Sequence, residues 1–236
     1  MGKMRGESGD EAVLDEQIAY YRARAGEYDE WFERCGRYDR GVAHREAWRK
    51  EAAVVESALK ALGRHERCLE LACGTGLWTR HLAELCDEVT AVDASPEVIE
   101  LNHSRLGDGR VNYVQADLFG WKPETVYDLV FFSFWLSHVP EERFDGFWET
   151  VDAALATGGR VFLVDSLYNP ESTASDHAAP SRSGIVSRTL NDGQNFRIVK
   201  IFHTPESLAA RLDPLGWRTK LCSSGSFFLY GEVFPG

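Results

Sequence analysis

Arg67-Cys68-Leu69-Glu70-Leu71-Ala72-Cys73-Gly74-Thr75-Gly76-Leu77-Trp78-Thr79 is the stretch that decides the fold. Arg67–Ala72 reads as an apolar strand that runs into two glycines one residue apart, then into a helix over Gly76–Leu85. Glycines at such a turn let the backbone and a helix N-terminus approach a ligand closely. Two carboxylates sharpen the reading. Asp93 ends the next strand, Glu88–Val92, and stands 17 residues after Gly76, where an acid can accept both hydroxyls of a ribose. Asp117, in Ala116-Asp117-Leu118 after strand Val111–Gln115, can accept from an adenine amino group. A dinucleotide fingerprint needs a small residue at position 79, and this chain has Thr79 beside the bulky Trp78. The run points to a nucleoside ligand other than NAD, with an NAD-binding oxidoreductase as the competing class.

Outward from this run, short strands alternate with helices. Ser95 and Pro96 open a helix to about Leu106, and Tyr127–Phe132 is a fourth strand. Glu141–Leu155 is a helix, and Gly158-Gly159 leads into strand Arg160–Asp165. This alternation predicts a parallel sheet with helices on both faces. After Asp165 the rhythm breaks into a loop over 166–184. Asn191-Asp192-Gly193-Gln194 then joins Ile185–Leu190 to Asn195–Phe202 as a hairpin. Thr204 and Pro205 open a last helix, and Trp217–Cys222 with Ser226–Val233 closes the chain as an antiparallel pair. Ahead of the sheet lie two helical stretches, Ala12–Arg34 and Ala43–Leu62, with residues 1–11 as a flexible tail.

Composition narrows the partners. The 236 residues carry 26 Lys plus Arg against 37 Asp plus Glu, a formal charge of -11, so neither nucleic acid nor an anionic membrane is an expected partner. Hydrophobic residues at 44% suffice for a packed core. The five cysteines are scattered without a C-x-x-C pair, which fits neither a disulfide framework nor a zinc site, and no metal is expected. The acidic N-terminus has no hydrophobic signal core, so the expectation is a cytoplasmic enzyme.

The four motifs in order (Glu70–Gly76, Asp93, Ala116-Asp117-Leu118 and Gly158-Gly159-Arg160) resemble those of the class I S-adenosylmethionine-dependent methyltransferases. The resemblance covers roughly residues 12–236. It implies a Rossmann-like α/β fold whose seven-stranded, mainly parallel sheet has an antiparallel last strand. It implies S-adenosyl-L-methionine as cofactor, with Glu70, Ala72, Gly74, Gly76, Ser133 and Phe134 around the methionine end. Asp93 and Ala94, with Ala116, Asp117 and Leu118, would hold the adenosine. Residues 20–29 are similar to the lid helix of small-molecule members, so Tyr21 and Tyr28 would close over the cofactor. The division that follows is a tail over 1–11 and one methyltransferase domain over 12–236. Within it, 12–62 is a helical cap and 166–203 a loop and hairpin over the acceptor.

Phe131-Phe132-Ser133-Phe134-Trp135-Leu136-Ser137-His138 leaves the fourth strand at its carboxyl end, where the reactive methyl belongs. His138 is the candidate general base, with an ascending limb of activity expected near ~6.5, the ordinary histidine value. Asp165 is the second candidate. Phe134, Trp135, Trp31 and Trp78 are candidate walls of an acceptor pocket, and His177 and Tyr168 candidate covers. The chain is also similar to bacterial tailoring methyltransferases of secondary metabolism, so a natural product of antibiotic biosynthesis is the expected acceptor. The candidates include the disulfide sulfur of a quinomycin-type depsipeptide, giving a thioacetal, and the oxygen or nitrogen of a polyketide, quinone or sugar. A monomer or homodimer is expected, and a non-catalytic S-adenosylmethionine binder is the remaining alternative.

Overall fold

The structure, a computed structural model, describes residues 7–107, 109–177 and 184–236, with side chains from residue 11 onward. The chain opens with α1 (Glu7–Ala23), the short α2 (Tyr28–Glu33) and α3 (Val42–Lys60). Helix α1 begins at Glu7, so residues 7–11, expected in the tail, are helical, and residues 1–6 lie outside the described part. The expected helix over Ala12–Arg34 is two helices, because Ala25–Glu27 tightens into a 3₁₀ turn.

The alternating part follows as β1 (His65–Leu71), α4 (Thr79–Leu85), β2 (Cys86–Asp93), α5 (Pro96–Leu106), β3 (Val111–Gln115) and β4 (Tyr127–Ser133). After β4 come α6 (Phe144–Ala154), β5 (Leu155–Ser166), the hairpin β6 (Ile185–Thr189) and β7 (Asn195–Val199), α7 (Pro205–Leu212), β8 (Trp217–Ser223) and β9 (Phe228–Pro235). Seven strands form one sheet in the order β3-β2-β1-β4-β5-β9-β8, and β6-β7 is a separate ribbon. Neighbours β3 through β5 pair in parallel, while β9 runs antiparallel between β5 and β8. This is the mainly parallel seven-stranded sheet with an antiparallel last strand that the sequence implies.

Side chains on a strand alternate between faces, so each strand feeds two cores. Leu69, Leu71, Val130, Phe132, Val161 and Leu163 face α6 and α7, whose Phe147, Trp148, Val151, Leu208 and Leu212 cover them. Cys68, Val89, Ala91, Leu129, Phe131 and Phe162 face α3 and α4, through Trp48, Val55, Leu59 and Leu82. Trp78 belongs to this second core, packed against Phe131, and not to a pocket wall. The cap closes over the carboxyl ends of the strands. Tyr20 of α1 is buried with Val186, Leu190 and Ile198 of the hairpin region, and Val13 with Val199 and Ile201. Helix and hairpin therefore form one covering layer.

The turn after β1 is locked from α5. Asn102, 0% exposed, donates Nδ2–H to the Gly74 carbonyl (3.2 Å) and to Thr79 Oγ1 (2.8 Å), and accepts from the Tyr113 hydroxyl (2.9 Å). Gly76 sits at φ +89°, and a Cβ there would meet Asn102 Oδ1 at 2.6 Å. Its missing side chain makes room for Asn102. Gly76→Ala should thus cost ~2 kcal/mol or more, combining left-handed strain with a buried clash. Urea denaturation of the variant measures this; unchanged stability would contradict the lock.

Candidate active site

Three strand ends build a cleft of about 780 Å³ under α1. Its floor is formed at Ala72 and Gly74 after β1, at Asp93 and Ala94 after β2, and at Ser133 and Phe134 after β4. Asp117 and Leu118 close one end, and Tyr21 and Tyr28 come down from the cap. Ala72 (φ +55°) and Phe134 (φ +53°) are strained at the ends of adjacent strands, a cost that clusters at functional sites. A Cβ built on Gly74 meets nothing within 4 Å, so open space lies over that backbone. Ten of the sequence-predicted cofactor residues therefore meet in one cleft.

Glu70, Gly76 and Ala116 do not line the cleft. Glu70 is buried beside Thr79 with Oε2 unpartnered, and burial pushes its carboxyl up to about 8. It props the turn from behind, as Gly76 admits Asn102. Asp93 accepts from the Gly74 N–H (3.0 Å) and the Ser95 N–H (2.9 Å), so it fixes the turn while lining the cleft. Asp117 Oδ1 accepts from the Phe119 N–H at 3.1 Å. Leu14, Gln17 and Ile18 of α1 also face the cleft, residues the sequence reading left as an ordinary helical stripe.

A second cavity, of about 640 Å³ counting its mouth, lies on the other side of Tyr21, Tyr28, Phe134 and His138, which line both. Its walls carry Arg24 from the cap, Arg188 from β6 and Lys200 after β7. Arg24 is 8% exposed and lies over the Tyr28 ring at 4.9 Å, with its guanidinium donating to the Tyr38 hydroxyl at 3.2 Å. Lys200, 9% exposed, donates Nζ–H to Ser137 Oγ (2.7 Å) and stands 4.0 Å from Asp165 Oδ1. Burial pulls the Lys200 ammonium down to about 8 against the attraction of Asp165, and burial also lowers Arg188. Among the described residues no carboxylate forms an ion pair with Arg24 or Arg188. Arg24 is buried and Arg188 half-buried, and cations so placed without acidic partners suit an anion. Sequence reading missed all three, because a lid helix and a hairpin show no shared cavity until they are folded together.

His138 sits between the two spaces with both ring nitrogens engaged. Nδ1 lies 2.7 Å from the Val199 carbonyl, which can only accept, so Nδ1 carries the proton. Nε2, left with its lone pair, takes the Tyr21 hydroxyl at 2.8 Å. Burial, with Lys200 adding to it, holds the imidazole well below its usual value. The near-neutral titration expected of this histidine thus gives way to a lowered one, with burial as its cause. Gln17 braces the pair, donating to the His138 carbonyl (3.2 Å) and accepting from the Val199 N–H (3.0 Å). Asp165 is buried, accepting from the Ser137 N–H (2.8 Å), and so steadies this turn and Lys200.

The other aromatic candidates divide. Phe134 and Trp31, with ring centroids 4.7 Å apart, wall the second cavity, while Trp135 lines the cofactor cleft. His177 lies outside both, where its Nε2 accepts from the Thr189 N–H at 3.0 Å beside Arg37. Tyr168 borders a separate outer groove.

Residues 68–159 match the family described as a methyltransferase domain. The solved structure of DhpI with S-adenosylhomocysteine is 41% identical, and the match covers 95% of this chain and 97% of that one at a TM-score of 0.78. The chain belongs to the S-adenosylmethionine-dependent methyltransferases. A second DhpI structure, with S-adenosylmethionine and HEP, matches at the same identity over 94% and 98% of the two chains, with a TM-score of 0.78. Among curated proteins, a ubiquinone biosynthesis O-methyltransferase of Schizosaccharomyces pombe is 35% identical over 83 residues, 33% of this chain. An Escherichia coli trans-aconitate 2-methyltransferase is 34% identical over 100 residues, 42% of this chain. These stretches span only 30% and 39% of the two relatives' lengths. The methyltransferase is a Rossmann-like α/β enzyme that uses S-adenosylmethionine, and among its described residues no helix is long and apolar enough to cross a membrane. The cleft suits that cofactor: it offers Asp93 and Asp117 as hydroxyl and amino acceptors and open backbone at Gly74. Asp93→Ala should weaken S-adenosylmethionine binding at least tenfold, on the scale of one or two charge-assisted hydrogen bonds. Calorimetry on the folded variant checks it, and unchanged affinity would remove Asp93 from the site.

Proposed function

We propose that this methyltransferase methylates an oxygen of a small acid, seated in the cavity of Arg24, Arg188 and Lys200. The observation that carries the reading is that cluster of cations, Arg24 and Lys200 buried and Arg188 half-buried, one aromatic wall away from the cofactor cleft, with no carboxylate ion-paired to either arginine among the described residues. One relative is named for trans-aconitate, a polyacid, which supports an acidic acceptor. A neutral acceptor, such as a disulfide-bridged depsipeptide, quinone or sugar, would leave these cations desolvated and unanswered. Masking an acid as its methyl ester is itself a tailoring step, so the expected role in secondary metabolism is kept in this form.

S-adenosylmethionine supplies an electrophilic methyl on a sulfonium; the acceptor oxygen forms the new C–O bond as the S–CH₃ bond breaks and its electron pair stays on sulfur. An ionised acid has no proton to lose, so the residues need only align and desolvate it, worth up to ~7–11 kcal/mol when well arranged. Arg24, Arg188 and Lys200 hold the acid. Tyr21, oriented by His138, and Phe134 fix its approach at the shared wall. His138 thus acts in this reading as a neutral orienting group, because an ionised acid offers it no proton to take.

Two predictions separate these roles. His138→Gln should keep turnover within about fivefold, whereas a general base would be worth ~10²–10⁴-fold. A loss on that scale would restore the base. Lys200 is charged below its value of about 8 and neutral above it, so acceptor KM should be flat from pH 6 to 7.5 and rise above pH 8. Lys200→Ala should raise acceptor KM about tenfold or more, the size of a charge-assisted hydrogen bond of ~1.5–3 kcal/mol, and abolish that rise. Cofactor affinity, measured alongside, should not follow either change.

A further inference from the structure

The acid cavity adjoins a second space. Asn169 and Phe202 line it, and the same two residues line a wider groove of about 1090 Å³ on the outer surface. The chemistry changes sharply between them. The groove is bordered by Tyr168, Pro170, Thr204 and Ser226, with no Lys, Arg, Asp or Glu among its described lining residues and one histidine, His203, which burial holds below its usual value. Phe202 stands at the boundary, with Lys200 Nζ 5.2 Å from its ring centre and the Tyr168 ring edge-on at 5.4 Å.

The two sides of the groove are tied together. The Leu167 N–H donates to the Phe227 carbonyl at 2.9 Å, and Asn169 Nδ2 reaches the Ser226 carbonyl at 3.4 Å. Asn169 Oδ1 caps the following turn through the Glu171 N–H at 2.9 Å. The opening is therefore built in advance, and a ligand entering it need not order it first. Tyr168, 38% exposed, presents an amphipathic ring at its rim.

We propose that this groove is a second acceptor subsite, and that the acceptor is an acid bearing an uncharged aryl or acylamino tail that lies along Phe202 and Tyr168. The proposal rests on the acid reading above. It adds that the acid is the head of a larger molecule: the cationic cavity receives the head, and the remainder leaves across Phe202 into a neutral, aromatic-sided channel. Rings suit Tyr168 and Phe202, and an amide suits the polar rim at Ser226 and Thr204.

Calorimetric titration of the enzyme saturated with S-adenosylhomocysteine tests this, using ethyl phosphate as the bare head and 2-(benzoylamino)ethyl phosphate as the head with a tail. The tailed phosphate should bind at least tenfold more tightly. Tyr168→Ala and the groove-filling Ser226→Trp should each erase most of that gain while leaving ethyl phosphate within twofold of the parent enzyme. Ethyl phosphate binding with no gain from the tail, or a gain that survives both substitutions, would overturn the groove alone. If neither phosphate binds although S-adenosylhomocysteine does, the acid reading falls and the groove proposal with it.

Discussion

Asn102 holding the turn after β1 is the constraint on which the site depends. One buried carboxamide joins the Gly74 carbonyl, the start of α4 through Thr79, and β3 through Tyr113. Asp93 completes the lock by accepting from the Gly74 and Ser95 N–H groups. The turn is thereby fixed against two neighbouring elements, which is what lets Ala72 stay at a positive φ beside it. A polar residue in this position is satisfied on both ends of its amide, so it specifies one arrangement instead of a family of loose ones. The cleft inherits that rigidity.

Motif membership and ligand contact separate here for a physical reason. Glu70 and Gly76 belong to the strand–turn–helix run that reveals the fold, yet one props the turn from the protein side and the other clears space for Asn102. Gly74, between them, faces open space. A sequence run records all the residues a turn requires, and only some of those requirements come from the ligand. Asp93 answers to both at once. The order of sheet elements was legible because strand and helix periodicities are local, and Ser95, Pro96, Thr204 and Pro205 mark helix starts with cap chemistry that the structure reproduces. Helix α1 was misjudged at its start and its break, where cap signals are weak and tertiary packing decides.

The acceptor cavity was illegible because its charge is assembled from distant segments. Arg24 lies in a charged helical stretch, Arg188 between Ser187 and Thr189, and Lys200 in the apolar run Ile198–Phe202, three contexts in which a single cation is ordinarily at the surface. Only when the hairpin packs on α1, through Tyr20, Val186, Leu190 and Ile198, do they converge and lose their water. The whole-chain charge of -11 even points the other way. Net charge governs encounter and solubility, whereas a desolvated cluster governs what binds. His138 was found by position, its place beyond the end of β4 being sequence information, whereas the partners of its ring nitrogens, Tyr21 and Val199, lie 117 and 61 residues away.

Because Tyr21, Tyr28, Phe134 and His138 belong to both cavities, cofactor and acceptor are not bound by independent walls. Tyr21 and Tyr28 ride on the same cap as Arg24, and that cap is clasped to the cofactor side by Arg22 with Glu97 (2.9 Å) and Asp29 with Thr75 (2.6 Å). These clasps are polar, and the Arg22–Glu97 pair is exposed, so each contributes little by itself. The apolar packing of α1 on the hairpin is stronger, as buried side chains carry more energy than solvated ion pairs. The cap is also held to the sheet side by Gln17 and Tyr21 on His138 and by Trp31 on Phe134, so both of its joints carry buried contacts. Arg24 of the cap and Arg188 of the hairpin thus face the acceptor cavity from one covering layer, with Tyr21 and Tyr28 beside them. An acceptor whose charge met Arg24 and Arg188 on that layer and Lys200, which Ser137 and Asp165 tie to the sheet, would join the layer to the sheet beside the cofactor cleft.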